Sequence, residues 1–188
     1  MSSRIAMCAA ATLFATVGTS SGNPVQWTVE SGGNGHFYEV VSITPGTSWT
    51  QAAALAEALG GHLATVTSAD ENGFIFINLV NNPVYWTPAG GPWIGGFQDV
   101  NAPDFSEPSG GWRWVTGEPW NYTNWVSGEP NDGLGVEDFL HYVWGPGAPG
   151  IPGSNWNDFP NSGYSEVVAM VVEYPTGIPA DCNANGIP

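Results

Sequence analysis

The residues best able to do chemistry in this chain lie between Trp125 and Asp138, in the run Trp-Val-Ser-Gly-Glu-Pro-Asn-Asp-Gly-Leu-Gly-Val-Glu-Asp. Glu129, Asn131, Asp132, Glu137 and Asp138 fall within ten positions, spaced by glycines and a proline, with no basic residue among them. Carboxylates and amide carbonyls are hard oxygen donors, the ligands of which calcium takes about six to eight at roughly 2.3–2.6 Å. So many acceptors on one loop repel each other or stay solvated unless a cation gathers them. An isolated acidic loop is more often a solvated turn. A second donor pair, Asn157-Asp158, follows Trp156 downstream.

Composition narrows the partners. The sequence has 188 residues, enough for one domain, with seventeen acidic side chains against two basic ones, Arg4 and Arg113. A net charge of −15 argues against nucleic acid and anionic membrane, which need Lys and Arg to displace counterions. It favours divalent cations and an extracellular setting. Arg4 precedes an apolar stretch, Ile5 to Val17, and then small residues to Gly22. That reads as a signal peptide over 1–22, since the apolar core is shorter than the about twenty residues a membrane span needs. Cys8 leaves with the signal, and Cys182 then has no partner within the chain.

The elements that must position the donors can be read in order. Val25–Glu30 and His36–Val41 alternate as paired strands around a Gly-rich turn. Ser48-Trp49-Thr50-Gln51 has the form of a capping box and opens a helix whose buried face is Trp49, Ala52, Ala53, Ala56 and Leu59. Gly60-Gly61 stop it, and His62–Val66 reads as a buried strand. Ser68-Ala69-Asp70-Glu71 is a second capping box, opening a helix to about Val80. Trp93–Phe97 and Trp112–Thr116 are strands joined by an acidic, Pro-rich loop. Residues 117–161 are rich in Gly, Pro, Asn, Asp and Trp, as a binding loop is. Strands are expected only at Val136–Val143 and Ser154–Phe159 within it, and Val167–Tyr174 closes the domain.

This series resembles the C-type lectin-like domain over roughly residues 26–175. The resemblance rests on Gly60–Val66, Trp93-Ile94-Gly95, Trp112–Gly117, Asn121–Trp125, Glu129-Pro130-Asn131, Glu137-Asp138, Trp156-Asn157-Asp158 and Val172-Glu173-Tyr174. It implies an α+β fold of two helices, small antiparallel sheets and a long irregular binding loop, with the domain at 23–175. It also implies a calcium site of Glu129, Asn131, Glu137, Asn157 and Asp158, and a cis peptide at Pro130. Carbohydrate would bind at Glu129, Asn131, Glu137 and Asn157. Asp132 and Asp138 match positions of a second calcium site, whose upstream ligands fall in the Asp99–Glu107 loop and are not assigned.

The function so implied is calcium-dependent binding of glycans through equatorial vicinal hydroxyls, as in mannose, glucose, N-acetylglucosamine or fucose. Its rival is a calcium-stabilised adhesion or protein-binding module. An enzyme, such as a glycosidase using Glu129 and Glu137, is disfavoured because metal-neutralised carboxylates make poor general acids.

Two family disulfides are absent here. Ala56 and Val172 occupy the first pair of positions, Phe139 and a residue near Asn161 the second. An unbraced loop should depend on calcium for order, so calcium is expected to raise the melting temperature. Trp93, Trp112, Trp114, Trp125 and Trp156 are expected to pack, and His36 and His141 to be structural. Residues 176–188 read as a linker and the truncated start of a calcium loop, Asp181 to Gly186, which suggests further modules and a downstream partner for Cys182.

Overall fold

The computed structural model describes residues 23–145, 150–161 and 167–177. The expected signal peptide at 1–22, Cys182 and the residues read as the start of a calcium loop lie outside the described residues.

Among the described residues, eight strands and two α-helices follow the expected order. Strand β1 (Val25–Gln26) pairs antiparallel with β2 (Phe37–Ser42), β2 with β8 (Ala169–Tyr174), and β8 with β3 (His62–Leu63). A second antiparallel set joins β5 (Trp112–Trp114) to β4 (Trp93–Gln98), β4 to β6 (Phe139–Tyr142) and β6 to β7 (Trp156–Phe159). One parallel bridge, Trp93 to Met170, links the two sets. The small antiparallel sheets are thus edges of one network, with β8 at its centre.

Helix α1 (Trp49–Ala58) begins as its sequence dictates. Ser48 accepts from the Gln51 N–H and the Gln51 side chain returns to the Ser48 N–H. Trp49, Ala52 and Ala56 are buried, with Ala53 and Leu59 partly so, against Leu63, Trp93, Met170, Val172 and Tyr174. Gly60 turns the chain with φ of 83°. Gly61 then passes so close to β8 that a Cβ would sit 2.4 Å from the Glu173 carbonyl and 2.8 Å from Val172 Cγ1. Ala56 and Val172, the positions without a disulfide, are both fully buried in this cluster. Apolar packing does that work.

Helix α2 (Ala69–Ile75) departs from expectation at its start. Ser68 accepts from the Glu71 N–H, but the Glu71 carboxylate does not return to the Ser68 N–H. It accepts instead from the Thr67 N–H and hydroxyl, from Tyr38 Oη at 2.6 Å and from Asn34 Nδ2 at 3.1 Å. The box is half formed because a buried partner on β2 competes for the carboxylate. Glu173 shares the cluster, accepting from the Thr65 N–H and lying 2.6 Å from His36 Nδ1. After Ile75 the backbone widens into a π turn over Phe76–Val80.

The opening strand is also shorter than its alternation suggests, because the Thr28 side chain accepts from the Ser31 N–H and caps a 3₁₀ turn over Val29–Ser31. The tryptophans pack as expected: Trp93, Trp112, Trp114 and Trp156 are buried and Trp125 is half-buried, edge-on to Trp112 and Trp156.

Candidate functional site

The loop after β5 returns along β7. Val126 N–H donates to the Trp156 carbonyl and Trp156 N–H to the Asn124 carbonyl. Trp156 is buried edge-on to Trp114 and Tyr122, and its indole N–H donates to Asn72. That anchor fixes the strand on which Asn157 and Asp158 sit. Register between β6 and β7 sets Asp158 opposite Leu140 and Asn157 opposite His141.

Asp158 is fully buried and organises the site. Its Oδ2 accepts from the Asn131 N–H at 3.0 Å and the Asp132 N–H at 2.8 Å, and its Oδ1 from the Asn131 N–H at 3.2 Å. These bonds carry the 129–132 segment, with its cis Glu129–Pro130 peptide, onto the end of β7. The Glu129 carboxyl lies against Asp158 and the Asn131 side chain. Its Oε2 is buried without a hydrogen-bond partner. Burial, then the Asp158 carboxylate, then the charge of Glu137 push the Glu129 carboxyl up to about 7.

Glu137 closes the turn from the other side. Its Oε2 accepts from the Gly133 N–H at 2.8 Å, and its own N–H donates to Asp132 Oδ1 at 3.2 Å. A Cβ on Gly133 would meet Glu137 Oε2 at 2.7 Å, so only glycine lets that approach occur. Burial, with Asp158 and Asp132 nearby, raises the Glu137 carboxyl, and burial with the same two neighbours raises Asp138. These bonds convert Val136–Asp138, expected as strand, into the end of a turn, and β6 starts at Phe139.

Asn157 behaves differently from the simple sequence reading. Its Nδ2 lies 3.1 Å from His141 Nε2 and also donates to the Asp158 carbonyl. An amide NH₂ only donates, so Nε2 accepts and the imidazole is neutral with its proton on Nδ1. Burial holds His141 down to about 3. The histidine is structural, as expected, and leaves the Asn157 Oδ1 as that amide's acceptor.

One further carboxylate enters from the 99–111 loop. Glu107, which also precedes a cis proline, feels the charges of Asp132, Asp138 and Asp158, and burial with those charges raises it. Gln98 Nε2 ties the loop down, donating to Glu107 Oε2 at 3.1 Å and to the Gly110 carbonyl at 2.7 Å. Sequence reasoning left this acid unassigned. Its signal was a Glu-Pro pair, one of three in the sequence, nine residues from the strand glutamine.

Between Asp132 and Glu137 the backbone is left-handed at two non-glycine residues, Asp132 (φ 50°) and Leu134 (φ 61°). Aspartate tolerates this region; a leucine there costs about 1–2 kcal/mol. Leu134 is also 85% exposed.

The structure brings Glu129, Asn131, Glu137 and Asp158 together, sets the Asn157 side chain against His141, and places Asp132, Asp138 and Glu107 within electrostatic reach of the Asp158 cluster. Among the described residues no group of three or more His, Cys, Asp or Glu side chains is arranged to hold a metal ion. The carboxylates lean on backbone N–H groups instead. The donor chemistry still fits a hard cation: the set is all oxygen, it is rich in charge, and Glu129 keeps a buried oxygen with nothing to bond. The donors that the sequence reading offers such an ion are Glu129, Asn131, Glu137, Asn157 and Asp158.

A family model described as the lectin C-type domain matches residues 46–160. The type-2 ice-structuring protein of Hemitripterus americanus is 35% identical over 98 residues, 52% of this chain and 48% of that protein. The C-type lectin domain family 4 member G of Mus musculus is 28% identical over 137 residues, 73% of this chain and 38% of that protein. This chain therefore spans half or less of the length of these two relatives. Among solved structures, the carbohydrate-recognition domain of cow CD23, crystallised with a GlcNAc2Man3 oligosaccharide, superposes with a TM-score of 0.55 at 25% identity. That match covers 77% of this chain and 89% of the CD23 domain. No helix among the described residues is long and apolar enough to cross a membrane. With the α+β fold, the ordered loop and a family match across most of the domain, the chain belongs to the C-type lectin domain family.

Proposed function

We propose that this domain is secreted and binds carbohydrate through a calcium ion held by Glu129, Asn131, Glu137, Asn157 and Asp158. The observation that carries this reading is the Glu129 carboxyl, raised to about 7 and buried against Asp158 with one oxygen unpartnered. A divalent cation would relieve that repulsion and use that oxygen. Calcium held there would supply a hard Lewis acid able to take two adjacent sugar hydroxyls directly. Glu129 and Glu137 accept from those hydroxyls and Asn131 donates to one. Asn157 offers its oxygen only, since its NH₂ is committed to His141 and the Asp158 carbonyl. Glu-Pro-Asn at 129–131 selects equatorial diols, hence mannose, glucose, N-acetylglucosamine or fucose. Asp132, Asp138 and Glu107 would serve a second, weaker ion. A single open site binds weakly, so several copies on one assembly supply useful avidity.

A glycan array in calcium and in chelator tests the reading. Binding to mannose-type arrays that chelator abolishes is the expected result; equal binding in both conditions would sink it.

A second reading has its own observation. Both Asp158 oxygens already accept from backbone N–H groups, so the loop is braced without an ion, and one relative is named for ice and not for sugar. On that reading the domain is an adhesion or protein-binding module, and the array stays blank while a protein partner binds.

A further inference from the structure

An exposed leucine is ordinary on a protein surface, and so is a glycine with positive φ. Leu134 combines exposure with the wrong backbone. It is 85% exposed, its φ is 61°, and glycines flank it on both sides. Either neighbour could have supplied a left-handed residue without penalty. Strain of this kind persists where surrounding structure fixes it, and here the fixing bonds are explicit. The Gly133 N–H is held by Glu137 Oε2 at 2.8 Å, the Gly135 N–H by the Asp132 carbonyl at 2.9 Å, and the Asp132 N–H by Asp158. Two of those acceptors, the Glu137 and Asp158 carboxylates, belong to the donor set itself. The turn thus thrusts one apolar side chain into solvent at the rim of the site, with Val136, 46% exposed, two residues on.

We propose that Leu134 is a specificity-determining residue for the ligand: it favours glycosides carrying an apolar substituent beside the coordinated hydroxyls over the bare sugar. The substituent class is an alkyl or aryl aglycone, or the methyl of an N-acyl group. This rests on the calcium-lectin reading above. A sugar seated on Glu129, Asn131 and Glu137 has its neighbouring substituent next to the turn those residues pin. Contact there removes apolar surface from water on both partners. Burying the equivalent of one to two methylene groups corresponds to roughly a four- to fifteenfold gain in affinity.

The test is competition binding in calcium with methyl and 4-nitrophenyl α-mannosides, and with the matching N-acetylglucosaminides. Three proteins are compared: wild type, Leu134→Ala and Leu134→Gly. The wild type should prefer the aryl over the methyl glycoside by a factor in that range. Both variants should lose the preference while keeping their affinity for the methyl glycoside and for calcium. Leu134→Gly removes the backbone penalty, so it should melt no lower than wild type, which keeps misfolding from mimicking the effect. An aryl-to-methyl ratio unchanged by both substitutions overturns the assignment of Leu134 and leaves the calcium-lectin reading standing. A wild type that binds none of these glycosides in calcium overturns both.

Discussion

Replacing Asp158 with asparagine separates a ligand from a scaffold. Its two best bonds, from the Asn131 N–H at 3.0 Å and the Asp132 N–H at 2.8 Å, both reach Oδ2. An asparagine with its oxygen in that place keeps both. What it loses is the charge on them and the longer 3.2 Å contact to Oδ1, where an NH₂ would face the Asn131 N–H. Charge-assisted bonds exceed neutral ones by about 1 kcal/mol, and relief of repulsion on Glu129 opposes that loss. In chelator, Asp158→Asn should therefore melt within a few degrees of wild type. Calcium should divide the two proteins. An ion at about one hundred times its Kd stabilises the wild type by about 2.7 kcal/mol, or about 5–10 °C for a domain of this size. The variant, short one anionic ligand, should gain no more than a degree or two. Asp158→Ala gives the contrast, because it takes the acceptor from two part-buried N–H donors, a loss of up to about 1 kcal/mol each whether or not calcium is present. Scanning fluorimetry with calcium and with EDTA reads all three. A full calcium shift in Asp158→Asn would refute Asp158 as a ligand, and no shift in wild type would refute the ion.

Glu129 sets a pH dependence. Its carboxyl is pushed up to about 7, so protons compete with the cation below that pH and calcium affinity should fall by up to about tenfold per unit from pH 7 toward 5; calorimetric titrations that are flat over this range would contradict it. Without calcium the folded carboxyl holds its proton more tightly than an unfolded one, whose ordinary value is 4.5. The stability this group contributes in EDTA should then be fully present below about pH 4.5, the unfolded value, and be lost as pH rises from there through about 7. Tyr38→Phe removes the hydroxyl that donates to Glu71 at 2.6 Å and accepts from Asn34 at 2.7 Å; urea unfolding should show a loss of about 2–3 kcal/mol, and a loss under about 0.5 kcal/mol would mean the buried cluster re-pairs. Gly61→Ala drives a Cβ into the β8 backbone, and a loss of about 1–3 kcal/mol is expected on the same assay, against no measurable change if β3 can slide.

Local chemistry was the legible part of this fold. The Ser48 to Gln51 box, the apolar face of α1 and the Gly60-Gly61 stop depend on residues a few positions apart, and the sequence reading places them correctly. What escaped depends on partners far along the chain. Glu71 bypasses the Ser68 N–H, accepting instead from Thr67 and from Tyr38, 33 positions earlier in the chain. The run Val136–Asp138 alternates like a strand yet is folded into a turn by Asp132 and Gly133. Glu107 could not be placed by motif, since the length of its loop hides the register that Gln98 restores. For the site, the resemblance to the C-type lectin-like domain supplied the proposed donors. Only the structure shows how they are braced: Asp158 by two backbone N–H groups, Asn157 through His141.

Arg113 gives the molecule an unusual proteolytic simplicity. The sequence contains no lysine and two arginines, so within the domain trypsin has one bond to cut, Arg113–Trp114. That bond lies inside β5, where Phe97 faces Arg113 and Gly96 faces Trp114 across the ladder. The guanidinium is tethered to Asp104 on the 99–111 loop, and Trp114 is buried. A protease cannot seat this segment while the edge strand is paired. The rate at which one intact band becomes two therefore times the opening of a single hairpin, at the base of the loop that carries Glu107, with no label introduced.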